Sequence, residues 1–77
     1  MIMSTIIPTR KEVERTRQEY PAGTKLVLDR MDDCQAPPAG TVGIVKMVDD
    51  MGDIHVNWDN GSSLALIPGV DEFHQYR

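Results

Sequence analysis

The dipeptide Asn60-Gly61 constrains the fold most, because Asn-Gly is the strongest short-range signal for a β-hairpin. A type I′ turn needs positive φ at both central positions, and asparagine and glycine tolerate that conformation best. Apolar and polar residues alternate before the turn, in 53–58, and Leu64 and Leu66 alternate after it. This period of two is typical of half-buried strands. The stretch 48–69 therefore predicts the central β-meander of a small β fold.

The rest of the chain supplies three more predicted strands, which are 24–31, 41–48 and 72–76. Gly43 inside the second strand indicates a bend or a close backbone approach, and Gly52 fits a tight turn with positive φ. A long loop containing Pro37-Pro38 follows the first strand, and Pro68 begins one predicted 3₁₀ turn. Five strands in this order predict a mainly β fold, a five-stranded SH3-like barrel. Closure is expected because an open sheet of this size leaves exposed edges.

A helix is predicted before the barrel. Thr9 and Glu12 form a capping-box pattern, and the residue before Pro21 is unfavourable for helix, so the helix should run over 10–19. Its apolar face is thin, and a helix this short is marginal alone. It must therefore dock on the barrel, on a second copy or on a partner. The predicted organisation is a tail at 1–8, a helix at 9–20 and an SH3-like β-barrel at 21–77.

The charge of the chain is unevenly placed. The 77 residues carry a formal net charge of −4. Residues 1–20 hold four basic and three acidic residues, whereas residues 21–77 hold four basic and nine acidic residues. An acidic barrel disfavours duplex nucleic acid and fits a protein partner better.

Cysteine content and hydropathy bear on location. The single cysteine, Cys34, excludes an internal disulfide and fits a reducing cytoplasm. No apolar run has the length of a membrane span, and residues 1–7 lack the pattern of a signal peptide. We therefore expect a cytoplasmic protein without membrane association.

The residues that could carry chemistry do not form a recognisable set. Acids near the turns ordinarily hydrogen-bond their own backbone, and the spacing here lacks the EF-hand pattern. These acids are Asp49, Asp50, Asp53 and Asp59. His55, His74 and Cys34 lack the spacing of zinc ligands. Aspartates next to Cys34 would raise the pKa of its thiol. We predict that the protein is not an enzyme and holds no cofactor or metal.

Binding residues are predicted at three places. Trp58 shares the parity of Ile54 and Val56, which favours the core, and the alternative is an exposed platform beside Asp59. Two acids follow the first strand, where SH3 domains grip proline-rich ligands, although the usual aromatic pair is missing. Arginines of the helix and of the first strand could contact phosphate. The candidate binding residues are Arg10, Arg17, Arg30, Asp32, Asp33, Trp58, Asp59 and Asn60.

Five pieces of the chain, in order, resemble the domain-of-unknown-function family forty-three fourteen. They are 20–24, 30–33, 36–43, 48–52 and 58–62, and the resemblance covers roughly residues 9 to 73. The family's loop usually has proline where this chain has Cys34. The resemblance implies short proteins or modules of bacteria, phages and mobile elements, and no activity.

The leading hypothesis is a non-enzymatic protein-interaction module of a phage or mobile element. A more specific version is a counter-defence, anti-CRISPR-like inhibitor that binds a host protein. The alternative is a small barrel that binds a nucleotide or nucleic acid as a homo-oligomer, in which several copies gather arginines around phosphate. An enzyme is the third class, and the sequence offers no nucleophile–base pair for it.

Overall fold

The computed structural model describes residues 8–76. Helix α1 spans Arg10–Glu19 and begins at a complete capping box. The Thr9 hydroxyl accepts the Glu12 backbone N–H at 3.1 Å, and the Glu12 carboxylate accepts the Thr9 N–H at 2.8 Å. The predicted helix and its cap are therefore confirmed. The predicted tail lies outside the described residues except for Pro8, as does Arg77.

Four antiparallel strands follow the helix. They are β1 (Lys25–Arg30), β2 (Val42–Val48), β3 (Ile54–Trp58) and β4 (Glu72–Gln75), in the sheet order β3-β2-β1-β4. The chain is thus mainly β, as predicted, with one N-terminal helix. Within the described residues, no helix has the length and apolar character needed to cross a bilayer.

The predicted fourth strand, around Leu64 and Leu66, is reduced to one bridge. Leu66 and Ile54 exchange both backbone hydrogen bonds, at 2.8 and 2.9 Å. The Ile67 carbonyl then accepts the N–H groups of Val70 and Asp71, so the chain turns away from β3 instead of extending the ladder. Within residues 8–76, hydrogen bonds therefore do not close the sheet, and the prediction of a closed five-stranded barrel is wrong in this respect.

The Asn60-Gly61 turn lies where it was predicted, but it is not type I′. Gly61 has φ of 91°, whereas no described non-glycine residue has a positive φ. The Gly61 N–H donates to the Trp58 carbonyl, and the Trp58 N–H donates to the Ser62 carbonyl. This is the three-residue hairpin loop in which a left-handed glycine follows a type I turn. Only one left-handed position is then required, so Asn60 keeps an ordinary φ.

Eight buried residues form the core below the sheet, and Gly43 permits their packing. They are Leu26, Leu28, Val45, Val48, Ile54, Val56, Trp58 and Leu66. Gly43 pairs with Trp58 across β2 and β3, and a Cβ on Gly43 would lie 2.6 Å from Trp58 Cε3. The predicted close approach at Gly43 is confirmed.

Helix α1 docks on its own sheet through Val13 and its C-terminal end. Val13 is its buried residue, and in the last turn the Arg17 Nε–H donates to the Val48 carbonyl at 3.1 Å. At the C-cap, the Tyr20 ring meets the Phe73 ring edge-on at 5.5 Å between centroids. The helix was expected to dock on the barrel, on a second copy or on a partner, and the structure shows it docked on the sheet of its own chain.

Candidate protein-interaction surface

The predicted acids lie at one end of the sheet. Arg30 ends β1 and pairs with Asp32 at 3.2 Å, while the Asp33 carboxylate accepts a backbone N–H of its own loop. Asp59 and Asn60 follow β3 and are also exposed. β1 and β3 both flank β2 antiparallel to it, so their ends point toward the same end of the sheet. The register sets Leu26 and Trp58 on either side of Gly43, so β1 continues four residues further, to Arg30, and the two ends are staggered by roughly 13 Å along the strands. The structure thus places the two groups toward the same end of the sheet without joining them in one cavity.

Trp58 belongs to the core. Its side chain is 3% exposed, and its Nε1–H donates to the Leu64 carbonyl at 2.9 Å. The indole polar group is therefore satisfied inside the protein. Trp58 supports the hairpin that presents Asp59 and Asn60, and it offers no exposed platform.

Two of the predicted arginines, Arg10 and Arg17, lie beside carboxylates of the helix and of the β2–β3 turn. Arg17 pairs with Glu14 at 2.9 Å and with Asp50 at 2.8 Å, so its guanidinium ties the helix to the β2–β3 turn. The hydrogen bond that Arg17 donates to Asp50 raises the pKa of Arg17, although desolvation opposes this. Arg10 and Arg17 line a small polar groove of about 330 Å³ together with these carboxylates. Because acids occupy this groove, it does not resemble a phosphate site.

An apolar groove of about 450 Å³ lies beside the helix, and sequence reasoning missed it. Three segments form its walls: one face of α1, the β2–β3 turn and the 67–70 segment. Met51 is 57% exposed, Ile67 46% and Val70 71%. The lining residues are Pro8, Glu12, Val13, Arg15, Thr16, Met51, Gly52, Asp53, Ile67, Pro68, Gly69 and Val70.

A sequence signal for the apolar groove exists. Met51 precedes the turn glycine Gly52, and Ile67 and Val70 flank Pro68-Gly69. Turns are usually polar, because their backbone faces water. Large apolar side chains at both turns are therefore a local sequence signal of an exposed apolar surface.

Two aspartates with different environments lie beside the groove. The Asp49 carboxylate accepts the N–H groups of Met51 and Asp53 and lies 2.7 Å from His55 Nε2. Desolvation acts to raise the pKa of Asp49, but the hydrogen bonds from His55 and the backbone prevail and lower it. Asp53 lies in the groove wall, where burial and then the Asp49 charge raise its pKa.

Among residues 8–76, no three His, Cys, Asp or Glu side chains are grouped to hold a metal ion. The groove itself offers apolar area with carboxylates at its rim. The fold and groove define a small mainly β domain with a docked N-terminal helix and an apolar groove open to solvent.

The comparison with family models identifies the family to which the chain belongs. Residues 9–76 match the model described as Domain of unknown function (DUF4314), so the chain belongs to this family, as the resemblance indicated. The comparisons with curated proteins and with solved structures gave no match.

Proposed function

We propose that this domain is a non-enzymatic protein-interaction module and that the apolar groove is its binding surface. The observation that carries the proposal is the concentration of exposed apolar side chains, Met51, Ile67 and Val70, around one groove. Contiguous exposed apolar surface on a small domain is typical of interaction sites. A partner would cover the apolar centre, and the charged residues around it would form a polar rim.

The partner that we propose is a host protein met by a phage or mobile element. The family resemblance supports this setting, and the nine acids of residues 21–77 support a protein rather than a nucleic acid. Inhibition of a bacterial defence protein, in the manner of an anti-CRISPR protein, is the specific form of this proposal.

We also propose that the fold is related to SH3-like barrels. The support is the sheet order β3-β2-β1-β4 together with the Ile54–Leu66 bridge, which stands where a further strand would pair with β3. In this interpretation the fourth strand of the barrel has shrunk to one pair of residues.

Binding of a nucleotide or nucleic acid by a homo-oligomer is the competing function. Pairing of Arg17 with two acids and of Arg30 with Asp32 weighs against it, because phosphate would have to displace carboxylates. Affinity capture distinguishes the two functions, because the retained molecule is a protein in one case and a nucleic acid in the other.

The test is affinity capture from a bacterial lysate by the wild type, Val70→Asp and Ile44→Asp. Val70 is 71% exposed in the groove, whereas Ile44 is 36% exposed on the opposite face of the sheet, between buried Gly43 and Val45. Both variants should stay folded, since Val70→Asp is a surface change that should cost within about 0.5 kcal/mol and Ile44→Asp in a strand should cost about 1 kcal/mol. Thermal unfolding of each variant verifies this.

We expect mass spectrometry to find a protein retained by the wild type and by Ile44→Asp and lost with Val70→Asp. Retention that is equal in both variants would contradict the groove as the binding surface. Retention of nucleic acid alone would favour the competing function.

A further inference from the structure

We propose that the apolar groove takes a basic amphipathic peptide segment of the partner, which inserts aliphatic side chains and places a lysine or arginine beside Asp53. This inference rests on the proposed function and specifies the chemistry of the partner. It follows from the shape of the groove and from the charges along its rim.

The shape favours a peptide segment with a few large apolar side chains. A volume of about 450 Å³ lies in the range of ordinary ligand sites, roughly 300–1,000 Å³. Val13 lies at the helix wall and is buried, while Met51, Ile67 and Val70 stand exposed on the other two walls. Grooves of this kind accept the apolar face of an amphipathic segment.

The rim is negatively charged. Glu12 and Asp53 line the groove, and Arg15 is the basic residue among its lining side chains. Asp71 lies close enough for its charge to raise the pKa of Asp53, and the Asp71 carboxylate accepts the Ile67 N–H at 2.8 Å. The ion pairs in the described part of the chain involve other acids. Neither Asp53 nor Asp71 has a cation within 4.0 Å there.

The electrostatic environment of Asp53 supports a cation from outside. Burial raises the pKa of Asp53, and the charges of Asp49 and Asp71 raise it further, while His55 opposes them. Like charges held close together destabilise each other, and an incoming ammonium or guanidinium would relieve this repulsion. An acidic partner would increase it. The charge at the rim therefore selects basic segments.

The experiment titrates the full chain, labelled with ¹⁵N, with three synthetic peptides of about twelve residues. All three carry leucine at helical i, i+3, i+4 and i+7 spacing. Their remaining positions are lysine, glutamine or glutamate. Chemical-shift changes give both the affinity and the binding surface.

We expect the lysine peptide to bind most tightly and to shift the resonances of Met51, Ile67 and Val70. The glutamine peptide should bind severalfold more weakly, and the glutamate peptide more weakly still. Asp53→Asn should weaken the binding of the lysine peptide about threefold, which is the effect expected from the loss of one partly exposed ion pair. Asp59 was a candidate binding residue in the sequence but does not line the groove, so the control Asp59→Asn should leave the affinity for the lysine peptide unchanged.

Equal affinity for the three peptides would overturn the inference, as would shifts centred on Ile44. Self-association through Val70 that the lysine peptide does not displace would also overturn it, because a second copy would then be the occupant. If capture depends on Val70 but the three peptides bind equally, only the proposed preference for basic segments is contradicted. Capture that does not depend on Val70 removes the proposed function itself.

Discussion

At the residue scale, Gly43 is the glycine with the least room for a side chain. An added Cβ would meet Trp58 Cε3 at 2.6 Å and would meet Val56 Cγ1 even more closely, inside a packed core. We predict that Gly43→Ala lowers the free energy of unfolding by about 1–3 kcal/mol, the usual cost of overpacking. Urea denaturation monitored by tryptophan fluorescence measures the change.

Ser63→Ala is the matched control, because it adds no atoms at an exposed loop residue near the same tryptophan. Its unfolding free energy should stay within about 0.5 kcal/mol of the wild type. If Gly43→Ala is as stable as this control, the packing of Trp58 against β2 is not as described.

At the scale of elements, the capping box should determine how well α1 forms. Thr9→Ala removes the hydroxyl that accepts the Glu12 N–H, and we predict a loss of about 1 kcal/mol, typical of a lost N-cap. Thr9→Ser keeps the hydroxyl and should be close to wild type. Thermal unfolding followed by circular dichroism compares the two, and equal losses would show that the cap does not matter.

The β2–β3 turn should make stability depend on pH through Asp49. Because its pKa is lowered in the fold, its contribution is complete above the unfolded pKa, about 3.9, and is lost as the pH falls toward the folded pKa. Asp49→Asn should therefore cost on the order of 1 kcal/mol at pH 7 and less near pH 3. Urea denaturation at the two pH values measures this.

Asp53→Asn, in the same turn, should change the stability of the protein in the opposite direction. The pKa of Asp53 is raised, so its ionisation opposes folding as the pH rises above about 4. Replacing it should stabilise the protein at pH 7 by a few tenths of a kcal/mol. A loss of stability in Asp53→Asn, or an equal cost of Asp49→Asn at both pH values, would contradict these roles.

At the scale of the whole molecule, local signals predicted the elements and failed on their assembly. Helix α1 was predictable because its start and end depend on neighbours in sequence, Thr9 with Glu12 and then Pro21. Alternation likewise predicted β3, the sequence also predicted strands at β1, β2 and β4, and parity favoured the core for Trp58, which is buried. Barrel closure depended on the turn at 67–71. The sequence predicted a turn beginning at Pro68, but no periodicity indicated that its hydrogen bonds direct the chain away from β3.

The candidate site was harder to predict than the fold. The apolar groove is built from three segments far apart in the chain, and only their packing brings Met51, Val70 and Val13 together. Arg17 looked like a surface cation in the sequence, yet it reaches Asp50 and the Val48 carbonyl. A pairing across more than thirty residues leaves no local pattern.

The most direct test of the account is to map the bound partner on the labelled domain. The protein recovered by capture is purified and added to the ¹⁵N-labelled full chain, and the perturbed backbone resonances are assigned. We predict that the largest changes centre on Met51, Ile67 and Val70 and spread to the helix face around Val13. Changes centred instead on the opposite face of the sheet, around Val27, Val42 and Ile44, would contradict the account.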